Sequence, residues 1–409
     1  MNICLLSYRG NPYCGGQGVY LYFLSRELVR MGHTLTVLFG PPGPWPMPWA
    51  RMIPVESLNL WGVRRNFLPP AVPWRIFRPL NFFEFAVTRF GFFPEMFIFS
   101  LRAMRVLQSL FPGNDFDLFH DVQSLGYGLL LVKQFRRPLV TTVHHPLTVD
   151  FRHSLERDRN FTEKYYTLVF YPLRMQGRVI RRCDRVLTSS RETAREIERD
   201  FGVPAERIRN VANGLDTELF RPGNGTSRKP HRLLFVGNTD DPKKGIRYLL
   251  EAMTHLPEKV HLTIVDDGAP VKTFAPDLAR RLGLGGRVTF SGKLSAEDLR
   301  HEYQSAQVTV VPSLYEGFGL PAAESLACAT PVVVTTAGAL PEVVGEEGTG
   351  ILVPPRDARA LAGGIQQALD DPGQREKMGR AGRERMVNLF SWRSVAERTA
   401  EVYRELMSS

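Results

Sequence analysis

The stretch Glu316–Glu324, with the sequence EGFGLPAAE, places two carboxylates eight residues apart across a turn that contains two glycines. The run from Val308 to Val311 before it is apolar and β-branched, which predicts a buried strand. Pro321 is typical of the first turn of a helix, and we expect that helix to run from Ala322 to Ala329. The stretch therefore predicts a strand, a glycine-containing loop and a new helix, which is the local pattern of an α/β fold.

This loop also predicts an anion-binding site, because free backbone N–H groups and the helix dipole point toward one spot. Glu316 would lie in the loop beside the anion, and Glu324 would lie about one turn into the helix. Carboxylates accept hydrogen bonds from hydroxyl groups, so the pattern favours a ligand that combines a sugar, a diphosphate and a nucleoside. The structural alternative is that Glu324 is a solvated helix residue and that the glycines merely form a turn.

Length and composition indicate a soluble protein of two domains. A chain of 409 residues is too long for one ordinary core, and 43% hydrophobic and 23% charged residues are typical of globular proteins. The four cysteines are far apart, without a CxxC pair, so we expect reduced thiols in a cytosol; they are Cys4, Cys14, Cys183 and Cys328. We expect no signal peptide, and no stretch of about 20 residues is free of charge and proline.

The net charge of +10 is unevenly distributed along the chain. Residues 1–190 contain 23 lysines and arginines against 12 acidic residues, and the remaining residues contain 29 against 30. An anionic membrane surface or a phosphate-bearing substrate would account for this excess. Nucleic acid is the least favoured partner, because no helix-turn-helix, RNP-like or zinc-finger pattern accompanies the charge.

The order of predicted elements indicates two successive parallel sheets. The first forty residues predict a βαβ unit, with a strand at 2–7, a helix at 19–31 and a strand at 34–39. We predict further strands at 117–120, 139–143, 185–188, 232–236, 261–265, 288–290, 308–311 and 331–335, and a closing amphipathic helix at 392–407. Two such sheets place a ligand cleft between domains, at the carboxyl ends of the strands.

Residues 41–110 interrupt this pattern with fourteen tryptophans and phenylalanines, eight arginines and only three glutamates. One interpretation is a proline-punctuated insertion whose aromatic side chains pack on the first sheet. The other is a surface that contacts a membrane or binds an acceptor molecule. If the net excess of five arginines shared one face, it would contribute at most roughly 5 kcal/mol at an anionic bilayer.

Five separated motifs stand in a fixed order along the chain: Gly15-Gly16, the segment 141–145 (TTVHH), the segment 213–216 (NGLD), Val236-Gly237-Asn238 followed by Lys243-Lys244-Gly245, and the Glu316–Glu324 stretch. Together they closely resemble the retaining glycosyltransferases of family 4, which have the GT-B fold. The resemblance covers nearly the whole chain except residues 41–110. It implies an α/β protein of two Rossmann-like domains with an inter-domain cleft and a carboxy-terminal helix that crosses back to the first domain.

The resemblance implies three domain segments and a role for each site residue. Residues 1–222 would bind the acceptor, residues 223–387 would bind the nucleotide-sugar donor, and residues 388–409 would form the closing helix. The implied catalytic residues are Glu316, beside the donor sugar, Lys244, on the pyrophosphate, and His144, near an outer sugar hydroxyl. The implied donor-binding residues are Gly15, Gly16, Asn238, Lys243, Phe318, Gly319, Leu320 and Glu324, the last on the ribose. For His144 the alternatives are a polar cap at the strand end and the flanking His145.

Two positions depart from the family pattern. The family usually has an arginine where this chain has Asn238, so a bidentate cation is missing at the pyrophosphate. Lys243 or a nearby arginine would substitute, or Asn238 would donate a neutral hydrogen bond. Asp266-Asp267-Gly268 is the second departure, since the family tends to have glycine first in this turn near the nucleotide. The base of the nucleotide therefore stays open.

We expect no metal ion and no cofactor beyond the nucleoside-diphosphate sugar, which is a substrate. Asp115-Phe116-Asp117 resembles the metal-binding DxD motif of the other major transferase fold. It leads directly into a predicted strand, however, and is interpreted as a strand-entry turn. Lys244 and a helix N-terminus can supply the positive charge that a metal would otherwise provide.

The sequence thus predicts a hexosyltransferase that acts with retention on a lipid-linked, glycan or other membrane-associated acceptor, such as a cell-envelope polysaccharide. We expect a cytoplasmic protein that is peripheral on the inner face of the plasma membrane. The alternatives are a transferase with a small soluble acceptor, a sugar-nucleotide epimerase, and a degenerate transferase that serves as a binding protein. The aromatic segment 41–110 disfavours the epimerase, and Asn238 is the feature that favours a degenerate protein.

Overall fold

The computed structural model describes residues 1–11, 16–60, 73–113, 115–223, 228–266, 274–345 and 348–408. The chain divides into two units. Unit 1 comprises Met1–Asn213 and Val395–Ser409, and unit 2 comprises Gly214–Ser394. Each unit contains one parallel sheet with helices between its strands, and each is described by itself.

Unit 1 has a sheet of seven parallel strands in the order β3-β2-β1-β4-β5-β6-β7. The strands are β1 (Asn2–Ser7), β2 (Thr34–Phe39), β3 (Arg51–Pro54), β4 (Leu118–Val122), β5 (Leu139–Val143), β6 (Arg185–Thr188) and β7 (Ile208–Asn210). The helices are α1 (Gly16–Arg30), α2 (Pro79–Arg89), α3 (Glu95–Leu110), α4 (Gly128–Val132), α5 (Leu147–Arg157), α6 (Phe161–Phe170), α7 (Leu173–Ile180) and α8 (Arg191–Phe201). Strands β4 and β5 are buried at every residue, as expected for a parallel sheet covered on both faces.

Unit 2 has a sheet of six parallel strands in the order β10-β9-β8-β11-β12-β13. The strands are β8 (Arg232–Val236), β9 (His261–Val265), β10 (Val288–Phe290), β11 (Val308–Val311), β12 (Val332–Thr335) and β13 (Gly350–Val353). The helices are α9 (Ile246–Met253), α10 (Phe274–Arg281), α11 (Ala296–Ser305), α12 (Leu320–Ala327), α13 (Leu340–Val344), α14 (Ala358–Asp370) and α15 (Pro372–Phe390). The last helix, α16 (Trp392–Met407), begins in unit 2, and from Val395 onward it belongs to unit 1.

Both sheets reverse their strand order at one point. In unit 1 the reversal lies between β1 and β4, and in unit 2 it lies between β8 and β11. In open α/β sheets, ligands bind outside the carboxyl ends of the strands at this reversal, because the connections on either side leave in opposite directions. The topology therefore predicts that ligand-binding residues follow these four strands.

The predicted strands are confirmed, most of them residue for residue. Strand β4 begins one residue later than predicted and continues to Val122, and β12 begins at Val332. Helix α12 begins at Leu320, two residues earlier than predicted, so the proline lies in its first turn as expected. The closing helix has the predicted limits, Trp392–Met407.

Three strands escaped prediction: β3, β7 and β13. All three lie at the edge of a sheet, and each is only partly buried. An edge strand is covered less completely than a central one, so its sequence needs no continuous apolar run. The residues of β3 (RMIP) and β13 (GILV) accordingly include arginine, proline and glycine.

The segment 41–110 is only in part an insertion. Strand β3 pairs with β2, and helix α3 contributes buried residues such as Phe99, Met104 and Leu107 to the core of unit 1. Trp74, Phe77 and Phe90 are instead exposed by 76%, 79% and 66%. The packing interpretation therefore holds for β3 and α3, and an exposed aromatic surface remains on the stretch between them.

No described helix is long and apolar enough to cross a bilayer. Cys4, Cys183 and Cys328 are buried free thiols. Cys14 lies outside the described residues.

Candidate active site

Lys244 and Glu316 meet at the strand reversal of unit 2. Lys244 lies in a short 3₁₀ turn after β8, and Glu316 lies in the loop after β11. The Lys244 Nζ donates to Glu316 Oε1 at 2.6 Å, and the Ser313 hydroxyl donates to the same oxygen at 2.9 Å. The Glu316 side chain is 9% exposed and that of Lys244 is 26% exposed. Ser313 had no role in the prediction, although it stands three residues before Glu316 in the loop after β11.

Two glycines bring these loops together. Gly245 has a φ of +66°, and a Cβ there would lie 2.0 Å from the Pro312 carbonyl oxygen. Gly338 has a φ of +57°, and a Cβ there would lie 2.2 Å from the Glu316 carbonyl oxygen. Both positions combine a backbone conformation that favours glycine with a close approach of another backbone. The contact between Lys244 and Glu316 therefore depends on glycines outside the EGFG motif.

The loop before α12 presents three successive backbone N–H groups. The amides of Phe318, Gly319 and Leu320 donate no hydrogen bond to any residue that the structure describes. The Phe318 ring is buried against Phe390, with ring centroids 5.6 Å apart, which holds the loop in place. Unused donors at the start of a helix are suited to a ligand's oxygen atoms. Binding by these three residues stays a prediction.

Glu324 faces a different partner from Glu316. Its Oε2 accepts a hydrogen bond from the Tyr303 hydroxyl at 2.8 Å. Burial raises the pKa of the Glu324 carboxyl to about 7, although the hydrogen bond from Tyr303 acts in the opposite direction. Glu324 is thus not the fully solvated helix residue of the structural alternative. Tyr303, in α11, was missed because nothing in the sequence near Glu324 points to a tyrosine 21 residues away.

The turn after β8 is held by Asp266. The Asp266 carboxylate accepts from both the backbone N–H and the hydroxyl of Thr239, which is buried. Asn238 is exposed, and its side chain accepts from the Asp240 N–H at 2.9 Å. Asn238 therefore shapes this turn, and it does not supply the bidentate cation that the family's arginine would provide at this position. Lys243 follows in the same 3₁₀ turn as Lys244, and its donor role stays a prediction.

His144 follows β5 in unit 1. Its Nδ1 lies 3.0 Å from the Asn213 Oδ1, and its ring packs edge-on against Tyr20 at 4.8 Å between centroids. Burial lowers the pKa of His144 to about 4, so the imidazole is neutral at pH 7. If Nδ1 carries the proton toward Asn213, Nε2 is an acceptor, and it is buried without a hydrogen-bond partner among the described residues. Asn213 stood in the quoted NGLD motif, without an assigned role.

His145 and His33 have structural partners. His145 Nε2 lies 2.9 Å from the Asp150 Oδ2. Gln123, which follows β4, accepts from the His144 N–H and donates to the His145 carbonyl, so it ties the ends of β4 and β5 together. The Nδ1 of His33 lies 3.2 Å from the amino group of Met1.

Of the two neighbouring glycines predicted to bind the donor, Gly15 and Gly16, the structure describes only the second. Gly15 lies outside the described residues. Gly16 is the first residue of α1, and a Cβ there would meet no atom within 4 Å. At Gly18, by contrast, a Cβ would lie 2.2 Å from the Gly10 carbonyl oxygen. Packing therefore accounts for the glycine at position 18, which the sequence did not single out, but not for the glycine at position 16.

Asp115 and Asp117 precede β4, in accordance with a strand-entry turn. Asp117 accepts from the Asn2 N–H at 2.7 Å, and Asp115 pairs with Arg137. Both lie at the amino edge of the sheet, whereas His144 lies at the carboxyl edge. Within the described ranges no group of three or more His, Cys, Asp or Glu side chains is arranged to hold a metal ion.

Comparison with known proteins adds a second line of observation. Residues 14–219 match the family model described as Glycosyltransferase Family 4, and residues 216–385 match the model described as Glycosyl transferases group 1. An MMP alpha-(1->4)-mannosyltransferase from Mycolicibacterium hassiacum is 40% identical, over 100% of this chain and 99% of that protein. A D-inositol 3-phosphate glycosyltransferase from Streptomyces bingchenggensis is 30% identical, over 71% of this chain and 67% of that protein. The structure of a sucrose-phosphate synthase from Thermosynechococcus elongatus covers 100% of this chain and 99% of its own, with 27% identity and a TM-score of 0.75.

Two Rossmann-like sheets of this kind, with these relatives, define a sugar-transferring enzyme with the GT-B fold. The chain belongs to glycosyltransferase family 4, and it is a hexosyltransferase. The expectation that residues 41–110 lie outside the resemblance is wrong, since the family match spans them. The physical reason is that β3 and α3 are regular parts of the first sheet domain.

Proposed function

We propose that this chain transfers a hexose, with retention, from a nucleoside-diphosphate sugar to a glycan, lipid-linked or other membrane-associated acceptor, without a metal ion. The observation that carries the proposal is the Lys244–Glu316 contact at the strand reversal of unit 2, next to three unused N–H groups. This arrangement supplies a cation and fixed dipoles for a diphosphate, together with a carboxylate for sugar hydroxyls. Retention follows from membership of family 4.

The chemical step has a simple balance. The acceptor hydroxyl oxygen forms a bond to the anomeric carbon, and the bond from that carbon to the β-phosphate oxygen breaks. The departing phosphate keeps the electron pair and takes the proton of the acceptor hydroxyl. Lys244 stabilises the charge that develops on this phosphate, because a cation that is already held in place by Glu316 costs little reorganisation.

Glu316 is proposed to orient the sugar rather than to attack it. Its Oε1 is held by both Lys244 and Ser313, whereas a nucleophilic carboxylate must face the anomeric carbon opposite the leaving group. His144, neutral at pH 7, offers Nε2 to a sugar hydroxyl. Glu324 accepts hydrogen bonds from the ribose hydroxyls, while the hydrogen bond from the Tyr303 hydroxyl holds the Glu324 carboxyl in place.

Mannose is the donor sugar that we favour, because the relative that is 40% identical over the whole chain is an alpha-(1->4)-mannosyltransferase by name. A small soluble acceptor is the alternative, favoured by the relative named for D-inositol 3-phosphate. The test incubates the protein with a panel of sugar nucleotides, in buffer with and without EDTA, and measures release of the nucleoside diphosphate. Release of the nucleoside diphosphate from at least one donor, at the same rate with and without EDTA, is the expected result. No turnover of any donor contradicts the proposal.

A further inference from the structure

Unit 1 contains an open groove of about 770 Å³ formed by α2, α3, α5, α6 and the start of α7. Eight of its sixteen lining residues are aromatic, and Arg174 is the one charged residue among those sixteen. The volume lies within the range of about 300–1,000 Å³ that is typical of sites for small ligands. None of the predicted site residues lines this groove.

The groove opens at the carboxyl edge of the sheet of unit 1. Helices α3 and α7 lead into β4 and β6, so their first residues lie at the edge where those strands end. Tyr127 follows β4, and Phe151 lies in the helix that follows β5. Phe93 connects the groove to the residues after β1, since its ring packs edge-on against Tyr8 and the Arg9 guanidinium lies 5.2 Å from its centroid.

An exposed apolar surface continues outward from the groove. Among the described residues, eighteen large hydrophobic side chains are exposed, and ten of them lie in 74–92 and 161–168. The two stretches adjoin, because a Cβ at Gly91 would lie 2.7 Å from the Tyr166 ring. Phe92 and Leu168, exposed by 45% and 61%, belong both to this surface and to the groove lining. A contiguous apolar surface of this kind marks a binding site.

The lining favours a hydrocarbon chain over a sugar. A sugar buried in the groove would need partners for its hydroxyl groups, and unpaired hydroxyls are costly. The Tyr127 hydroxyl already accepts from Arg178, and the Tyr171 hydroxyl lies 3.1 Å from that of Ser154. Arg174 is exposed and makes no hydrogen bond or ion pair with any described residue, and Arg178 lies one turn later on the same face. These cations suit an anionic head group such as a phosphate.

We propose that this groove binds the alkyl or prenyl chain of an acceptor whose phosphate head lies at Arg174. The inference rests on the proposed function, which it deepens by naming the chemical class of the acceptor as a phosphate-linked lipid. The chain would reach the groove across the exposed aromatic surface of α2 and α6, and the head would lie at the sheet edge that carries His144.

The experiment titrates the full-length protein with dodecyl phosphate below its micellar concentration and with dodecyl maltoside, which has the same chain and a neutral head. The double variant Phe92→Asp/Leu168→Asp should lose at least about tenfold in affinity for both probes, because a charge then faces the chain. The matched control Phe77→Asp/Phe161→Asp changes two aromatic residues of the same surface that do not line the groove. Its affinity for both probes should stay within about twofold of the wild-type value. Arg174→Ala should weaken the binding of dodecyl phosphate by roughly fivefold and leave the binding of dodecyl maltoside unchanged.

Absence of saturable binding of dodecyl phosphate, or equal losses in the two double variants, overturns the inference. Equal losses would show that the aromatic surface adheres to amphiphiles without a chain site. Turnover of nucleotide sugar without any acceptor is measured on the same preparations. A protein that turns over a donor but binds no dodecyl phosphate overturns only the groove assignment, and one that binds dodecyl phosphate without turning over any donor overturns only the proposed function.

Discussion

At residue 244 the chain places a cation directly on Glu316, at the end of the sheet where a diphosphate would bind. Lys244→Ala should lower turnover by about 10²–10³, the scale for removing one stabiliser of transition-state charge. Lys259→Ala is the matched control, because this exposed lysine precedes β9 at the opposite edge of the same sheet. A loss below threefold in a correctly folded Lys244→Ala variant would show that another cation serves the phosphate.

The two glutamates should separate binding from transfer. Glu324→Gln should weaken the binding of the sugar nucleotide and of the free nucleoside diphosphate alike, since the ribose is present in both ligands. Glu316→Gln should impair sugar transfer far more than it weakens the binding of the sugar-free nucleotide, because Glu316 contacts the sugar in the proposed arrangement. Isothermal titration with the free nucleotide, paired with turnover measurements, distinguishes the roles. Equal effects of both changes on that affinity would contradict the assignment.

Glu324 also predicts a pH dependence. Burial raises the pKa of its carboxyl from 4.5 to about 7, so the charged form that accepts from the ribose develops as the pH rises through 7. Sugar-nucleotide affinity should therefore increase between pH 6 and pH 8, and the contribution of this group to folding stability should fall as the pH rises from about 4.5 to 7. The pyrophosphate of a sugar nucleotide has no second ionisation in this range, so the ligand's charge is constant.

Tyr303→Phe sharpens that test. The hydrogen bond from Tyr303 lowers the pKa of Glu324, so its removal should shift the midpoint of the binding curve to higher pH. At pH 7 a smaller share of Glu324 is then ionised, so nucleotide binding should weaken at that pH and recover at higher pH. A midpoint that stays in place in the tyrosine variant, or that persists in Glu324→Gln, would assign the titration to another group.

At the scale of elements, the start of α1 offers a matched pair of glycines. Gly18→Ala should lower the melting temperature, because its Cβ would overlap the Gly10 carbonyl oxygen. Gly16→Ala should leave the melting temperature unchanged, since nothing lies within 4 Å of its Cβ, but should lower kcat/KM if a ligand approaches that backbone. Thermal denaturation and steady-state kinetics on both variants check this. Unchanged kinetics in Gly16→Ala would remove position 16 from the proposed site.

Elements buried on both faces were predictable, because continuous apolar runs between turn signals specify a parallel strand. Strands β3 (RMIP) and β7 (IRN) were not, since they carry no such run, and β13 (GILV) was missed although it is apolar. In the site, Glu316 was recognisable from its position in the loop after a strand, and Lys244 was assigned from the resemblance to the family. Tyr303, Ser313 and Asn213 were not assigned, because their contacts depend on how separate elements pack, which local sequence patterns do not encode.

At the scale of the whole molecule, the positive charge and the exposed aromatic residues coincide in unit 1. Arg75 and Arg78 stand among the exposed aromatics, with side chains 50% and 72% exposed and only long contacts of 3.9 and 3.8 Å to Glu56. Arg64 and Arg65, which belong to the same basic segment, lie outside the described residues. Aromatic side chains favour the headgroup boundary and arginines favour anionic lipid, so unit 1 carries both signals that stable peripheral binding requires.

The protein should therefore sediment with anionic liposomes, less so at high salt because the charge contribution is screened, and bind little to neutral liposomes. Arg75→Ser/Arg78→Ser should weaken this binding by about 2 kcal/mol, or roughly thirtyfold, while leaving nucleotide binding intact. The control Arg280→Ser/Arg380→Ser removes two arginines of unit 2 that are exposed by 77% and 70%, and it should sediment like the wild type. Wild-type protein that stays in the supernatant at low salt would favour a soluble acceptor, because the aromatic surface would then serve recognition of that acceptor rather than attachment to a bilayer.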